Sequence, residues 1–458
     1  MNKTIPKAAR NIPVIGHAIP SMQDPIRFLE RCYQKYGSIF SIQLPGLNTI
    51  FLIGPEHNKW VFDETDKRLS IQEGYTFFKR MFDSGFFYFG GFEAYKAQKN
   101  IVLPCFRATQ MPDYLDVMSE ETLRFMQSLG TSGTFDLTSQ FGPLVMKIAA
   151  HSFLGADFKE RIGEDIFEDF RQFSEGMDPV IPGWVPLPKF RRSQKAKKRL
   201  HNVLLNLIEE RRSNPLDTPD FLQTLIQSTY QDGQPVPNRI LIDLILLLVW
   251  AGHETTAGHI SWAMIDLLQH PEYLKELMAE QQNEWPEDAS LTMNHIKNMN
   301  HSEWALKETE RLHPVAYILL RNARVDISYQ GYHIPKGSAV FISPALTHKL
   351  PEYFSEPEIY NPLRFADGKV ASHSLIGFGG GIHRCTGVHF AFLEMKVILN
   401  QLLRYYDLEL ITKNPEAVKG PVTKWPQSPC LVRYKRKREL PSTTYAIPLK
   451  NSKSCPHQ

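Results

Sequence analysis

Hydrophobic side chains recur with a helical period through the long central part of the chain. Stretches such as MSEETLRFMQSL, IFEDFRQFSEGM and RLHNVLLNLIEERR place apolar residues three and four positions apart. The most apolar run, LILLLVWAG, ends at Gly252 and is too short to span a bilayer. The pattern predicts helices over about 95–318 and 385–408, including a long buried helix over 240–268.

Strand-like alternation is confined to segments near the two ends of the chain. SIFSIQL and TIFLIG flank Pro45 and Gly46, which predicts a hairpin within the β-rich segment of about 30–70. Two further β segments are predicted over 319–345 and 420–438. We expect a mainly α fold with a smaller β part. We expect residues 1–458 to form a single domain in which strands from distant segments pair.

Composition narrows the class of protein without naming a function. The chain has a net charge of +3, and its densest basic run, KFRRSQKAKKR, is typical of a solvated helix face, with a docking or membrane-surface patch as the alternative. The basic residues do not form a stripe interleaved with aromatic residues, which is the pattern that would indicate a nucleic-acid partner. The five cysteines form no C-x-x-C pair, and MNKTIPKAARNIPVIG lacks the apolar core of a signal peptide. We therefore expect a cytoplasmic protein, most simply bacterial, without a transmembrane anchor.

The string FGGGIHRCTG, from Phe378 to Gly387, places Cys385 between a glycine-rich loop and an apolar helical run. A cysteine at a helix N-terminus feels the positive end of the helix dipole, which favours the thiolate. Glycines such as Gly379 let the backbone approach a flat ligand and turn amide groups toward the sulfur. The pattern predicts a thiolate that ligates a metal.

The string AGHETT, from Ala251 to Thr256, lies inside the predicted buried helix. Ala251 and Thr255 share a helix face, where small side chains let a flat cofactor lie against the helix. The Thr255 hydroxyl can compete for a backbone carbonyl and open the helix locally. Burying the Glu254 carboxyl in an apolar stretch costs free energy, which indicates that the group has a function. The alternative is a buried helix with a tolerated polar turn. A zinc-protease motif is excluded because position 257 is alanine.

A third motif, KETERLHP, places Glu308 and Arg311 one helical turn apart, so that they can form an ion pair. Such pairs are common and carry little information alone. Some 50 residues later the segment PEIYNPLRF supplies Arg364.

Taken in order, these motifs resemble those of the cytochrome P450 monooxygenases. The cysteine string fits the haem-thiolate loop F-x-x-G-x-x-x-C-x-G, and AGHETT fits the acid–alcohol motif [AG]-G-x-[DE]-T-T. Glu308, Arg311 and Arg364 resemble the buried Glu-Arg-Arg network that supports the core near the haem loop. The resemblance covers nearly the whole chain and implies the family's triangular prism of helices.

The resemblance also implies a cofactor, haem b (iron protoporphyrin IX), and roles for individual residues. Cys385 would be the axial ligand of the iron, and Thr255 with Glu254 would deliver protons during oxygen activation. The propionates would be held by His383 and Arg321. Tyr95 and Lys99 stand where the family has a W-x-x-x-R helix. The remaining positions expected to contact the haem are Phe378, Gly379, Gly387, Ala251 and Tyr75.

Within the family, the sterol 14α-demethylase branch is the most similar, although two departures leave the substrate open. Glu254 stands where that branch has histidine, and Arg80 and Asp83 replace a proline and a glycine of its substrate loop. An apolar pocket is expected for a sterol, terpenoid or fatty-acyl substrate. Its expected lining is Tyr75, Phe78, Phe82, Phe86, Ala251, Thr255 and Ile318, with a place in the hydrophobic core as the alternative for the clustered aromatics. The loop around Trp184 would act as an access lid capable of transient membrane contact.

The resemblance implies an oxidoreductase that uses O2 and receives electrons from a ferredoxin or flavodoxin and its reductase. Such a partner would dock near Cys385, where His383, Arg384 and Lys396 lie close in sequence. Two alternatives remain: a peroxygenase or isomerase on the same fold, and a non-catalytic haem- or lipid-binding protein.

Overall fold

The protein is described as a computed structural model. The residues described are 3–9, 16–44, 47–82, 85–86, 89–155, 165–177, 185–420 and 423–441. The predicted hairpin turn at Pro45 and Gly46, Asp83 and the Trp184 loop residues 178–184 lie outside this part of the chain.

Helices dominate the described residues, which confirms the mainly α prediction. The α-helices are α1 (Ala18–Gln23), α2 (Pro25–Tyr36), α3 (Pro55–Glu64), α4 (Gly91–Val102), α5 (Met111–Leu129), α6 (Leu137–Leu154), α7 (Asp165–Ser174), α8 (Pro188–Ser213), α9 (Phe221–Gln227), α10 (Asn238–Gln269), α11 (Pro271–Glu284), α12 (Met293–Asn298), α13 (Asn300–Leu312), α14 (Pro344–Thr347) and α15 (Val388–Tyr405). Short 3-10 helices are formed by Thr76–Arg80, Leu103–Phe106, Pro362–Phe365 and Gly381–His383.

The strands form three sheets that combine distant parts of the sequence, as predicted. They are β1 (Ile39–Leu44), β2 (Leu47–Leu52), β3 (Leu69–Ser70), β4 (Ser132–Asp136), β5 (Leu319–Ala323), β6 (Ile327–Tyr329), β7 (Tyr332–Ile334), β8 (Ala339–Ile342), β9 (Tyr406–Leu410) and β10 (Leu431–Arg436). A five-stranded sheet has the order β1-β2-β8-β5-β3, in which β2 and β8 are parallel. The other sheets are β4-β10-β9 and the hairpin β6-β7.

Two strands lie where the sequence pattern predicts helix. β4 interrupts the predicted helical segment 95–318, and β9 begins at Tyr406, before the predicted helix ends at 408. Both pair with β10, in the last part of the described chain. The sequence of β4, SGTFD, buries only Phe135, so its alternation is too weak to be read locally.

Helix α10 is the central helix of the fold. It is apolar on all sides, as the run LILLLVWAG indicates, and packs against α6, α13 and α15. Its length and hydropathy would suffice to cross a membrane, but 67% of its most apolar window is buried inside the protein. We therefore interpret it as a core helix.

Candidate active site

The glycine-rich loop holds Cys385 just before helix α15. The backbone N–H of Cys385 donates to the Phe378 carbonyl over 2.9 Å. Gly379 and Gly381 have φ angles of +73° and +61°, in the left-handed region that favours glycine. Gly387 is the N-cap of α15, and its amide donates a hydrogen bond to the Cys385 sulfur. The predicted cysteine at a helix N-terminus is therefore present.

The charge state of Cys385 reflects opposing influences. Its side chain faces a cavity but is enclosed by protein, and this burial raises the pKa of the thiol above its ordinary value. The Gly387 amide and the cations of Lys99 and Arg384 lower the pKa, whereas Glu310 raises it. A cation bound to the sulfur would lower the pKa of the thiol further and so favour the thiolate.

Cys385 and helix α10 line the same cavity, whose volume is about 390 Å³. Ala251, Gly252 and Thr255 contribute the α10 wall. The Thr255 hydroxyl donates to the Ala251 carbonyl over 2.8 Å, which is the competition predicted for this threonine. The predicted opening of the helix is absent, because α10 is helical throughout Asn238–Gln269.

Two titratable groups precede Thr255 on α10. Burial raises the pKa of the Glu254 carboxyl to about 7. Burial also lowers the pKa of His253 to about 4, and its Nδ1 has no hydrogen-bond partner among the described residues. Glu254 is not among the residues that line the cavity. A carboxyl with this pKa exchanges protons readily near neutral pH.

The predicted propionate-binding residues divide into two groups. His383, Tyr95 and Lys99 line the cavity, and the His383 ring lies 4.1 Å from the Tyr95 ring. His383 Nε2 lies 2.5 Å from Asp66 Oδ2, whereas the buried His383 Nδ1 has no hydrogen-bond partner among the described residues. Arg321 does not line the cavity; its Nε donates to Thr65 Oγ1 over 2.8 Å.

Lys99 already has hydrogen-bond partners within the protein. Its Nζ donates to the carbonyls of Ile382 and Arg384, both in the cysteine loop. Burial lowers the pKa of Lys99, while its proximity to Cys385 raises it. In this structure Lys99 therefore ties helix α4 to the loop.

Most of the predicted aromatic lining lies in the hydrophobic core instead. Phe78 lines the cavity, but Tyr75, Phe82, Phe86 and Ile318 do not. Phe82 and Phe86 are buried and stack on each other with centroids 4.5 Å apart, and Phe82 also contacts Phe173. Tyr75 stacks on Phe78, whereas Ile318 packs in the separate core that includes Phe341.

The cavity has apolar walls that the motifs alone did not identify. They include Leu244, Leu247, Leu248, Trp250, Phe106, Phe153, Val315 and Leu319. Counting back from Thr255 in helical steps of three and four reaches Ala251, Leu248 and Leu244. That periodicity was available in the sequence, whereas the contributions of α4 and α6 depend on tertiary packing.

Glu308, Arg311 and Arg364 meet as a buried network. Arg311 donates from Nε and Nη2 to the two oxygens of Glu308, each over 2.8 Å. Arg364 Nε lies 3.1 Å from both oxygens, and the Asn361 amide donates to the same carboxylate. Glu308 and Arg311 have no exposed side-chain surface. The predicted proximity of the three residues is therefore observed.

The residues around the cavity fit a haem. The Cys385 sulfur accepts a hydrogen bond from an amide and faces a cavity with largely apolar walls, as a metal-bound thiolate needs. At the edge of this space, His383 Nδ1 is buried without a partner, and Lys99 lies nearby. This donor set suits an apolar ring system that carries acidic substituents.

Comparisons with known proteins agree with this geometry. The family profile described as Cytochrome P450 matches residues 6–429. Lanosterol 14-alpha demethylase of Bos taurus is 29% identical over 444 residues, covering 95% of this chain and 88% of the relative. Sterol 14-demethylase of Arabidopsis thaliana is 30% identical over 446 residues, covering 93% and 90%.

Among solved structures, retinoic acid-bound cyanobacterial CYP120A1 superposes with a TM-score of 0.83. It is 26% identical in sequence, and the match covers 95% of this chain and all of that one. The predicted fold is thereby confirmed. Together with the profile match over nearly the whole length, it shows that the chain belongs to the cytochrome P450 family and is a haem-thiolate monooxygenase.

Proposed function

We propose that this enzyme inserts one oxygen atom from O2 into a sterol, terpenoid or fatty-acyl substrate, using haem b. The observation that carries the proposal is that Cys385 and Thr255 line one cavity with largely apolar walls. Apolar walls with few polar groups favour a hydrophobic molecule. Relatives named for sterols, and a structural neighbour with bound retinoic acid, support the same substrate class.

The protein would hold the cofactor through residues at two places. Cys385 would be the axial ligand, and His383 Nδ1 would donate to a propionate, with Tyr95 and Lys99 at the same edge. When bound, haem activates oxygen and carries the redox chemistry. Arg321 would act through the strand that it anchors, because its guanidinium already donates to Thr65.

Proton delivery is assigned to Thr255 and Glu254. The Thr255 hydroxyl faces the cavity, and its bond to the Ala251 carbonyl fixes the direction of Oγ1. The hydroxyl would pass its proton into the cavity by turning away from the Ala251 carbonyl, and Glu254, with a pKa of about 7, would then replace that proton.

We also propose a ferredoxin or flavodoxin with its reductase as the electron source, and a cytoplasmic location. The expected docking residues need correction, because His383 and Lys396 are buried, with 5% of each side chain exposed. Arg384 is the remaining exposed cation of the three. A docking surface would therefore use Arg384 and the backbone of the glycine-rich loop.

The test compares Thr255→Ala with Ser261→Ala in the reconstituted holoenzyme. Ser261 is a matched control, since its hydroxyl donates to the Ala257 carbonyl on the same helix but lies away from the cavity. Sterols, terpenoids and fatty acids are first titrated to find the class that shifts the haem spin state. We expect Thr255→Ala to keep this binding but to divert electrons to hydrogen peroxide, and Ser261→Ala to remain coupled.

Other outcomes would decide against the proposal. Unchanged coupling in Thr255→Ala would refute the proton-delivery role. Turnover with peroxide alone, equal to turnover with the reductase chain, would favour a peroxygenase. The absence of any spin shift and any product would favour a haem or lipid carrier.

A further inference from the structure

Glu310 is a buried carboxyl that neither the proton route nor the Glu308 network uses. It lies on α13 between Glu308 and Arg311, and only 7% of its surface is exposed. It lines the cavity that contains Cys385 and also a second cavity of about 570 Å³. The second cavity is bordered by the glycines at 379, 380 and 381, so Glu310 lies at the base of the cysteine loop.

The carboxyl of Glu310 contacts the backbone of this loop directly. The amides of Gly377 and Phe378 donate hydrogen bonds to it. A Cβ atom built on Gly377 would lie 2.6 Å from both Cγ and Oε1 of Glu310. Gly377 does not have a positive φ, so the glycine is required by this close approach rather than by its backbone conformation.

Ile376, the residue before Gly377, is also held by a hydrogen bond. The Ile376 amide donates to His348 Nε2 over 2.9 Å, and His348 Nδ1 donates to the Glu310 carbonyl over 3.2 Å. Three consecutive amides of the loop, at positions 376, 377 and 378, are therefore bound by Glu310 or by a histidine attached to it. Buried amides need such acceptors.

Phe378 links this arrangement to the sulfur. Its amide donates to the Glu310 carboxyl, and its carbonyl accepts the hydrogen bond from the Cys385 amide over 2.9 Å. A shift of Glu310 would thus move the peptide groups on both sides of Phe378. The position of the Cys385 backbone depends on this residue through two hydrogen bonds in series.

We propose that Glu310 is a positioning residue that fixes the conformation of the Cys385 loop and so keeps the sulfur placed as a thiolate ligand. The proposal rests on the proposed role of Cys385 as the haem ligand. It depends on Glu310 as a hydrogen-bond acceptor, since the amides need an acceptor whether or not the group is charged.

The experiment compares Glu310→Gln and Glu310→Leu as purified holoenzymes. Glutamine keeps an acceptor oxygen of nearly the same shape, whereas leucine removes it. Glu303→Leu on the same helix is the control, because Glu303 pairs with Lys307 and Lys396 and does not line either cavity. The readout is the thiolate signature of the ferrous carbonyl complex, with Cys385→Ala as the reference that lacks it.

We expect Glu310→Leu to lose most of the thiolate signature, while Glu310→Gln and Glu303→Leu retain it. Retention of the full signature in Glu310→Leu would overturn the proposal, as would an equal loss in Glu310→Gln. A wild-type enzyme without the signature would refute the role of Cys385 instead, so the two failures are distinguishable.

A double-mutant cycle covers the case in which Glu310→Leu does not fold. Gly377→Ala should lower the thermal unfolding midpoint, because the new methyl group displaces Glu310. In a Glu310→Ala background the same change should have little further effect, since the space is then free. Additive shifts in the unfolding midpoint would overturn the inferred contact.

Discussion

At the scale of single residues, the cost of burying charge explains why Glu308 is so thoroughly bonded. Its two oxygens accept from Arg311, Arg364 and the Asn361 amide, and Arg311 also donates to the carbonyls of His348, Pro357 and Ile359. A fully buried pair of charges is tolerated only when each donor and acceptor is satisfied. The network therefore connects α13 to the segment from 348 to 364 that precedes the cysteine loop.

Glu308→Gln should lower the free energy of unfolding by about 3–5 kcal/mol, because it leaves Arg311 buried without its counter-charge. Chemical denaturation of the purified holoenzyme measures the change. Glu409→Gln is the control, since Glu409 and Arg433 form an exposed pair with more than half of each side chain in solvent. That variant should stay within about 0.5 kcal/mol of wild type. Equal effects in the two variants would contradict the structural role of the buried network.

Sequence motifs predicted which of their own residues lie close together better than they predicted the residues that surround them. Cys385, Thr255 and the Glu308 network lie where the motifs imply, because each motif encodes a local backbone geometry. Phe82 and Phe86 lie in the core rather than in the pocket lining, and the sequence leaves the two open because aromatic density is the same signal for both. Lys99 and Arg321 have partners from segments far away in sequence, which no local pattern reveals.

At the scale of elements, helix α10 combines a core-packing face with a cavity face. Gly258 illustrates the first and Gly252 the second. A Cβ atom at Gly258 would lie 2.9 Å from the Trp425 ring, whereas one at Gly252 would lie 4.0 Å from Phe153. The indole of Trp425 thus packs directly against the backbone of α10, and only glycine allows this approach.

The two glycines should respond oppositely to the same substitution. In a helix interior, glycine to alanine normally gains about 1 kcal/mol of stability. Gly252→Ala should show a gain of this kind, whereas Gly258→Ala should be destabilised by about 1–3 kcal/mol because overpacking against Trp425 dominates. Thermal unfolding of both variants measures the difference. A stabilised Gly258→Ala would show that Trp425 moves aside easily.

Arg80, which departs from the sterol demethylase pattern, connects two elements of the fold. Its guanidinium lies 4.5 Å from the Phe190 ring, and its carbonyl accepts a hydrogen bond from Gln194. These contacts join the 3-10 helix Thr76–Arg80 to the start of α8. A proline at position 80 would lack the side chain that makes the cation–π contact.

At the scale of the whole molecule, buried titratable groups make stability depend on pH in two opposite ways. Burial lowers the pKa of His259 to about 4 and that of His348 to about 3. Stability from these neutral histidines is complete above about pH 6.5 and is lost as the pH falls toward these values. Glu254 and Glu310, each with a pKa of about 7, contribute stability below about pH 4.5 that is lost as the pH rises through 7.

His259→Gln should therefore flatten the acid side of the stability profile. His259 donates from Nε2 to the Leu306 carbonyl over 2.8 Å, and glutamine can also donate there without taking up a proton. Its lowered pKa corresponds to a loss on the order of 3 kcal/mol between about pH 6.5 and 4. Urea unfolding at a series of pH values measures the slope. His333→Gln, at an exposed position on β7, should keep the wild-type slope, and an unchanged slope in His259→Gln would contradict the assignment.

The parallel pairing of β2 with β8 also governs how the chain can fold while it is being synthesised. Thr49 pairs with Ala339, so about 290 further residues must leave the ribosome after Thr49 before the five-stranded sheet can close. Until then one edge of β2 lacks its partner strand. Most side chains of β2, which are buried in the folded protein, can contact other nascent chains. Cys385, the proposed haem ligand, is translated later still, so on that proposal we expect haem to be taken up only after this sheet has had the opportunity to form.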